Sequence, residues 1–198
     1  MKHKVYFSDY HSNIHSNQLD DIDRWYDFAR DMLDFWAPVY YPFFVNESPS
    51  GFHFEDTYPQ EQYDADFARM SRYLKEKDDG FVTFPAYEWQ GNGADGDHNV
   101  FFKSYDSRMK MPLTYRELVE QLRDVECYGI PHHTGYMPGH RGKNWATHDE
   151  AFSPVTEIYS SHGCSDPATV PSPSTSTSTW APAPSRALPC TPSSRASR

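Results

Sequence analysis

Short apolar runs alternate with amphipathic stretches along this chain, and several of the runs end on a His or a Glu. Val5 to Tyr10 reads as a first strand of β-branched and aromatic residues that leads into Asp9-Tyr10-His11. Leu19, Ile22, Trp25, Ala29, Leu33 and Trp36 then recur at three- and four-residue steps, which predicts a helix with one buried face. Phe35 to Tyr41 predicts a second strand closed by Pro42, and an aromatic-rich insertion fills Phe43 to Tyr58. Phe67, Met70 and Leu74 mark a helix begun near Pro59 and ended by Asp78-Asp79-Gly80. A third strand runs from Phe81 to Tyr87, and His98 to Phe102 makes a further strand across the loop Gly91 to Gly96, a hairpin candidate. Thr114-Tyr115-Arg116-Glu117 has capping-box spacing, with Leu113 placed to staple onto Leu118. Strand and helix alternate in this order throughout, which predicts parallel βα units and an α/β barrel or part of one.

The chemistry sits where the runs end. In a barrel of parallel strands the carboxyl ends open onto one face, so ligands far apart in sequence can meet on one cation. His11 and His15 stand four residues apart beyond the first strand, and positions i, i+2 and i+4 share a face of an extended chain. Glu88 closes an apolar strand beside Trp89, where a carboxylate is costly unless hydrogen-bonded or bound to a cation. His98 follows Asp97, and His132 and His133 follow Tyr128-Gly129-Ile130, with His132 the favoured inward residue of the two. Glu157 to His162 surrounds one more strand-like run. Arg141 and Lys143 follow closely and could clamp a phosphate or carboxylate. His148 and Asp149 read as loop residues.

Composition narrows the partners. The net charge of −10, from 28 acidic and 18 basic residues, argues against a surface that coats nucleic acid or docks on an anionic membrane. A small-molecule substrate is the expected partner. The 3 cysteines form no CxxC pair and no even framework, so neither a thiolate zinc knuckle nor a disulfide scaffold is expected. With no run of apolar residues long enough to span a bilayer, the expectation is a cytoplasmic protein.

The Asp-x-His of the first strand, Tyr87-Glu88-Trp89 with the following His98-Asn99-Val100-Phe101-Phe102, the Pro131-His132-His133 turn and Glu157-Ile158-Tyr159 to His162-Gly163 together resemble the polymerase and histidinol phosphatase (PHP) superfamily. More narrowly they resemble a branch of it known only as a domain of unknown function. The resemblance covers most of residues 5–163. It implies a distorted (β/α)7 TIM-like barrel binding divalent metal ions and a phosphoesterase-like hydrolase, and nitrogen and oxygen donors without thiolates suit Zn, Mn or Fe. It implies His11, Glu88, His98 and His132 or His133 as metal ligands and Asp9 as a residue orienting an imidazole; Glu88 and Arg141 are the expected catalytic groups. Three departures stand out. Asn13 occupies the second histidine position of the first motif, leaving His15 as a substitute, Pro38 to Pro42 replaces an Asp-His pair, and a late Asp-x-His motif is missing. These departures argue against a full trinuclear site.

Composition breaks near residue 166. From Pro167 to Arg198 the chain is rich in Pro, Ser and Thr and holds no Asp, Glu, Lys or Gly. Such a segment cannot bury enough apolar surface to offset its ordering entropy. The expected organisation is an incomplete barrel over residues 1–165 and a disordered low-complexity tail over 166–198, the product of a truncation or a shifted reading frame. The leading expectation for function is a metal-dependent hydrolase acting on a small substrate through an activated water. The alternative is an inactive fragment that binds metal or ligand without turnover.

Overall fold

The apolar runs pair into one six-stranded sheet in the computed structural model, which describes residues 3–47, 53–77, 79–137, 139–160 and 163–164. In chain order the elements are β1 (Ser8–His15), a 3-10 segment (Ser16–Asp21), α1 (Ile22–Met32), β2 (Phe35–Tyr41), β3 (Phe43–Glu47), β4 (His53–Thr57) and α2 (Gln60–Glu76). They continue with β5 (Val82–Thr83), β6 (Ala86–Trp89), β7 (His98–Phe102), α3 (Tyr115–Leu122) and β8 (Cys127–Pro131), followed by the two-residue strands β9 (Tyr159–Ser160) and β10 (Gly163–Cys164). The tail assigned from composition, and His162, lie outside the described residues.

The sheet is mixed, with order β1-β2-β6-β7-β8 and β5 also on β2. β1, β5 and β6 are all parallel to β2, whereas β6 pairs antiparallel with β7 and β7 antiparallel with β8. The expectation of parallel βα units is therefore corrected for the second half. The connection from Trp89 to His98 holds no helix, and a parallel return needs a crossover of about a dozen residues or more, so β7 must run back along β6. Among the described residues the sheet does not close into a barrel. The predicted third strand is split into β5 and β6 around Pro85, which lacks the N–H a continuous ladder would use. The aromatic insertion forms a hairpin, β3 against β4.

Period-two alternation sorts the two faces of this sheet. Trp36, Tyr40, Tyr87, Trp89, Val100 and Phe102 point to the helical side, where Tyr26, Phe67, Met70, Leu74 and Leu118 cover them. A fully buried ring such as Phe102 contributes roughly 1.5–3 kcal/mol there. Ala37, Val39, Ala86 and Phe101 point the other way, against Tyr10, Phe84, Tyr128 and Ile130. Chain 152–157 flanks the open edge of β8, with Gly129 N–H donating to Phe152 O at 2.8 Å and Glu157 N–H to Pro131 O at 3.1 Å.

The helices shift from the sequence pattern in detail. The stripe predicted over Leu19 to Trp36 begins as a 3-10 segment, and its buried residues within α1 are Ile22, Tyr26 and Ala29. Trp25 is 37% exposed, because Tyr26 takes the inward place and donates its hydroxyl to Asp79 at 2.7 Å. The first strand begins at Ser8, leaving Val5, Tyr6 and Phe7 exposed. The capping box forms, with Glu117 N–H donating to Thr114 Oγ1 at 3.3 Å and Thr114 N–H to Glu117 Oε2 at 3.1 Å. Leu113 stays exposed and makes no staple. No described helix is long and apolar enough to cross a membrane.

Thr114→Ala removes the acceptor for one helix N–H and is expected to cost about 1 kcal/mol. Urea unfolding checks it, and a midpoint equal to the native one would place the stability of α3 entirely in its buried face.

Candidate metal centre

One end of the sheet collects the site. β1, β2, β6 and β8 all finish there and β7 starts there, so His15, Tyr41, Glu88, Asp97 and His132 arrive from distant parts of the chain. Alternation then decides which of them meet. Glu88 pairs with Asn99 across β6 and β7 and faces the side opposite the helices, whereas its neighbour Trp89 pairs with His98 and faces them.

A bulge supplies His11. The β1 register slips between Asp9 and Ser12, and such a slip re-aims side chains. Tyr10 packs on Phe101 at 5.2 Å while the adjacent His11 reaches the Glu88 cluster. Asp9 braces this bend. Its carboxylate accepts from His11 N–H at 2.7 Å and from Ser12 Oγ at 2.8 Å, so it holds backbone rather than the imidazole expected of it.

Two ligand-type groups converge among the described residues: His11, Glu88 and His132, and Asp97, His132 and His133. Glu88 is 1% exposed. It accepts from Asn13 Nδ2 at 3.0 Å and Gln90 Nε2 at 3.1 Å, and Arg141 Nη2 stands 3.4 Å away. His132 Nε2 lies 3.5 Å and His11 Nε2 lies 3.9 Å from its two oxygens. Burial pushes the Glu88 carboxyl up, but His132, Arg141 and Gln90 outweigh it and hold the group well below the usual carboxylate range. Burial raises Asp97, with Arg141 and His132 opposing. Burial lowers His132 against the pull of Glu88. For His11 burial is outweighed by Glu157, Glu88 and Asp9, and its pKa is raised.

His132 carries the most telling geometry. It is fully buried, packed at 4.4 Å from the His11 ring and 4.5 Å from the His133 ring, and neither of its nitrogens has a hydrogen-bond partner. An imidazole without partners in such a place carries a desolvation cost of about 1–3 kcal/mol. A cation bound there would relieve it. Nitrogen and oxygen donors without a thiolate fit a divalent ion such as Zn, Mn or Fe. Glu157 completes the pattern: its Oε2 sits 2.6 Å from His11 Nδ1, which leaves Nε2 on the Glu88 side, the arrangement in which an outer carboxylate fixes a ligating imidazole.

Other residues expected at the site fall outside these groups. His98 is turned to the helical side, stacked on Tyr115 at 4.6 Å, with Nδ1 donating to Gly96 O at 2.9 Å. His15 rests on Tyr41 at 4.8 Å. Lys143, read as a phosphate clamp, is 1% exposed, with Nζ 3.4 Å from His98 Nε2 and 4.0 Å over the Tyr115 ring. Arg141 does not face solvent as a clamp either: Nε reaches Asp97 Oδ2 at 2.5 Å, Nη1 reaches Glu55 Oε2 at 2.7 Å and Nη2 reaches Glu88. Loop residue Asp149 accepts from the N–H groups of Ala151 and Phe152, and His148 packs on Trp145 at 5.3 Å. Sequence reasoning left Asp97, Glu55 and Gln90 out of the site, and it placed Glu157 in a metal-competent strand-end segment without naming it among the ligands. For Asp97 the signal was adjacency to His98 across a glycine loop. Glu55 had no local signal, since only the β3–β4 hairpin carries it to Arg141.

Beside the cluster a cavity of about 540 Å³ opens on the uncovered sheet face, lined by Tyr10, Asn99, Tyr128, Ile130, Val155 and Glu157. Its walls are largely aromatic and aliphatic, with the Asn99 amide and the Glu157 carboxylate as polar points, and Glu157 links it to His11. Comparison of the chain with protein-family models, with curated proteins and with solved structures finds no match.

Burial of Lys143 holds its amine down at about 8, with Asp95 opposing and His98 and His148 nearby. The folded chain thus loses this proton before the unfolded chain, whose lysine titrates near 10.5. Between those values the unfolded state binds more protons, so this group makes stability rise with pH; below about 8 its contribution is flat and unfavourable. Melting midpoints of the native chain and Lys143→Met, compared from pH 7 to 10.5, are expected to converge as pH rises. A constant gap would show that the amine does not titrate in this window.

Proposed function

We propose that this chain is a metal-dependent hydrolase, phosphoesterase-like in its chemistry, built on the distorted TIM-like barrel of the PHP superfamily. One observation carries the reading: His11 from the bulge in β1, Glu88 from the end of β6 and His132 just past β8 come together, around a buried imidazole whose two nitrogens lack hydrogen-bond partners. His11, Glu88 and His132 hold the ion in this reading, with Asp97 and His133 alongside. When bound, a divalent cation in such a site supplies Lewis-acid activation of water and of an ester oxygen.

The remaining work belongs to the chain itself. Glu157 fixes the His11 ring through Nδ1. Asn13 and Gln90 each donate to a different Glu88 oxygen, which sets the rotation of that carboxylate. The apolar cavity between Tyr10, Tyr128 and Ile130 seats the organic part of a small substrate and keeps bulk water from it. Among the described residues the sheet stays open, with β1 at one edge and chain 152–157 hydrogen-bonded along part of β8 at the other, which fits a barrel section.

A second reading, a metal or ligand site without turnover, is favoured by Arg141. Its three nitrogens all face carboxylates, so it is not turned toward an anionic substrate.

Glu88→Gln keeps the shape of the side chain and removes its charge. It is expected to weaken divalent-metal affinity by about 100-fold or more, a ligand mattering at least as much as the 10–100-fold typical of outer partners. Metal content by mass spectrometry and hydrolysis of bis(p-nitrophenyl) phosphate should fall together. Full metal content with unchanged turnover in this variant would sink the site. Metal binding by the native chain without turnover would select the second reading.

A further inference from the structure

We propose that the centre is built for a single divalent cation, and that the Arg141 guanidinium stands permanently where a second would bind. The inference rests on the metal-site reading above and specifies how many ions that site takes.

The two ligand groups share His132 and so compete for one ring. The second group also includes Asp97, whose Oδ2 is already held by Arg141 Nε at 2.5 Å and by His133 Nδ1 at 3.1 Å. The guanidinium thus lies between Asp97, Glu88 and Glu55, where a cation bridging carboxylates would sit. Tyr41 donates its hydroxyl to the other oxygen of Glu55, tying that carboxylate to the same network.

The backbone holds Arg141 in this position. Its φ of 64° is left-handed, uncommon for a residue with a side chain. Arg141 N–H donates to Gly93 O at 3.1 Å, and Asp97 N–H donates to Arg141 O at 3.4 Å. Two glycines let the loops press together: a Cβ on Gly96 would lie 2.6 Å from Lys143 Cα, and one on Gly142 would lie 2.1 Å from Tyr136 O. The glycine-rich loop between β6 and β7 therefore serves as the seat of a built-in cation. Asp97 Oδ1, buried and unpartnered, is the oxygen a second ion would take once the guanidinium is gone.

Zn²⁺ titration by calorimetry, with metal analysis after desalting, tests this on the full chain. The native protein is expected to bind one equivalent and, loaded with Mn²⁺, to give an uncoupled six-line electron-paramagnetic spectrum. Arg141→Met is expected to bind two equivalents, and Arg141→Lys, which keeps the charge, one. Two equivalents or a spin-coupled Mn²⁺ spectrum in the native chain overturns the inference, even if Arg141→Met fails to fold. One equivalent in a folded Arg141→Met, with one in the native chain, overturns this inference alone. No binding by the native chain overturns the metal reading and this inference with it.

Discussion

The structure of the site depends on keeping an ionised carboxylate, Glu88, inside the protein. A buried charge is tolerated only with close, well-directed partners, and losing one such partner typically costs about 3–5 kcal/mol. Asn13, Gln90, Arg141, His132 and His11 answer that demand, and they come from β1, from the end of β6, from the loops after β8 and from β1 again. The requirement of one side chain thus fixes the relative placement of three segments. The same charge gives His132 its place, since its Nε2 stands 3.5 Å from Glu88 and the two line one wall of the candidate cation site.

Connection length and alternation do the rest. The parallel half of the sheet delivers strand ends, and the hairpin into β7 turns the chain so that Asp97, rather than the end of a fourth parallel strand, completes the cluster. His98 goes to the helical face because it is one residue out of phase with Asn99 and Glu88. Its ring then does structural work, accepting the buried Lys143 amine between Tyr115 and the Gly96 carbonyl.

Much of this was legible in the residues, and the exceptions have physical causes. β2, β7, α3 and its cap read directly, since each depends on local period and local hydrogen bonds. His11, Glu88, His132 and His133 read as strand-end ligands, and the fold brings the first three into one group and His132 and His133 into another with Asp97. What sequence spacing could not show was phase. A bulge in β1 and a hairpin between β6 and β7 both change which neighbour faces inward, and that choice separates Tyr10 from His11 and His98 from Asp97. The partners of Arg141 were equally hidden, because Glu55, Glu88 and Asp97 meet it only through tertiary pairing.

The bulge at Asp9–Ser12 has a consequence for how such sites diverge. Ligand placement in β1 is set by how many residues lie in that bend, since either a regular ladder or the bent one can accept the same side chains. Loss of a single residue there would leave every histidine present in the text of the chain while moving His11 off Glu88. Gain or loss of the centre in a lineage can therefore be written as one deleted codon, invisible to any comparison that counts matching ligands and ignores their spacing.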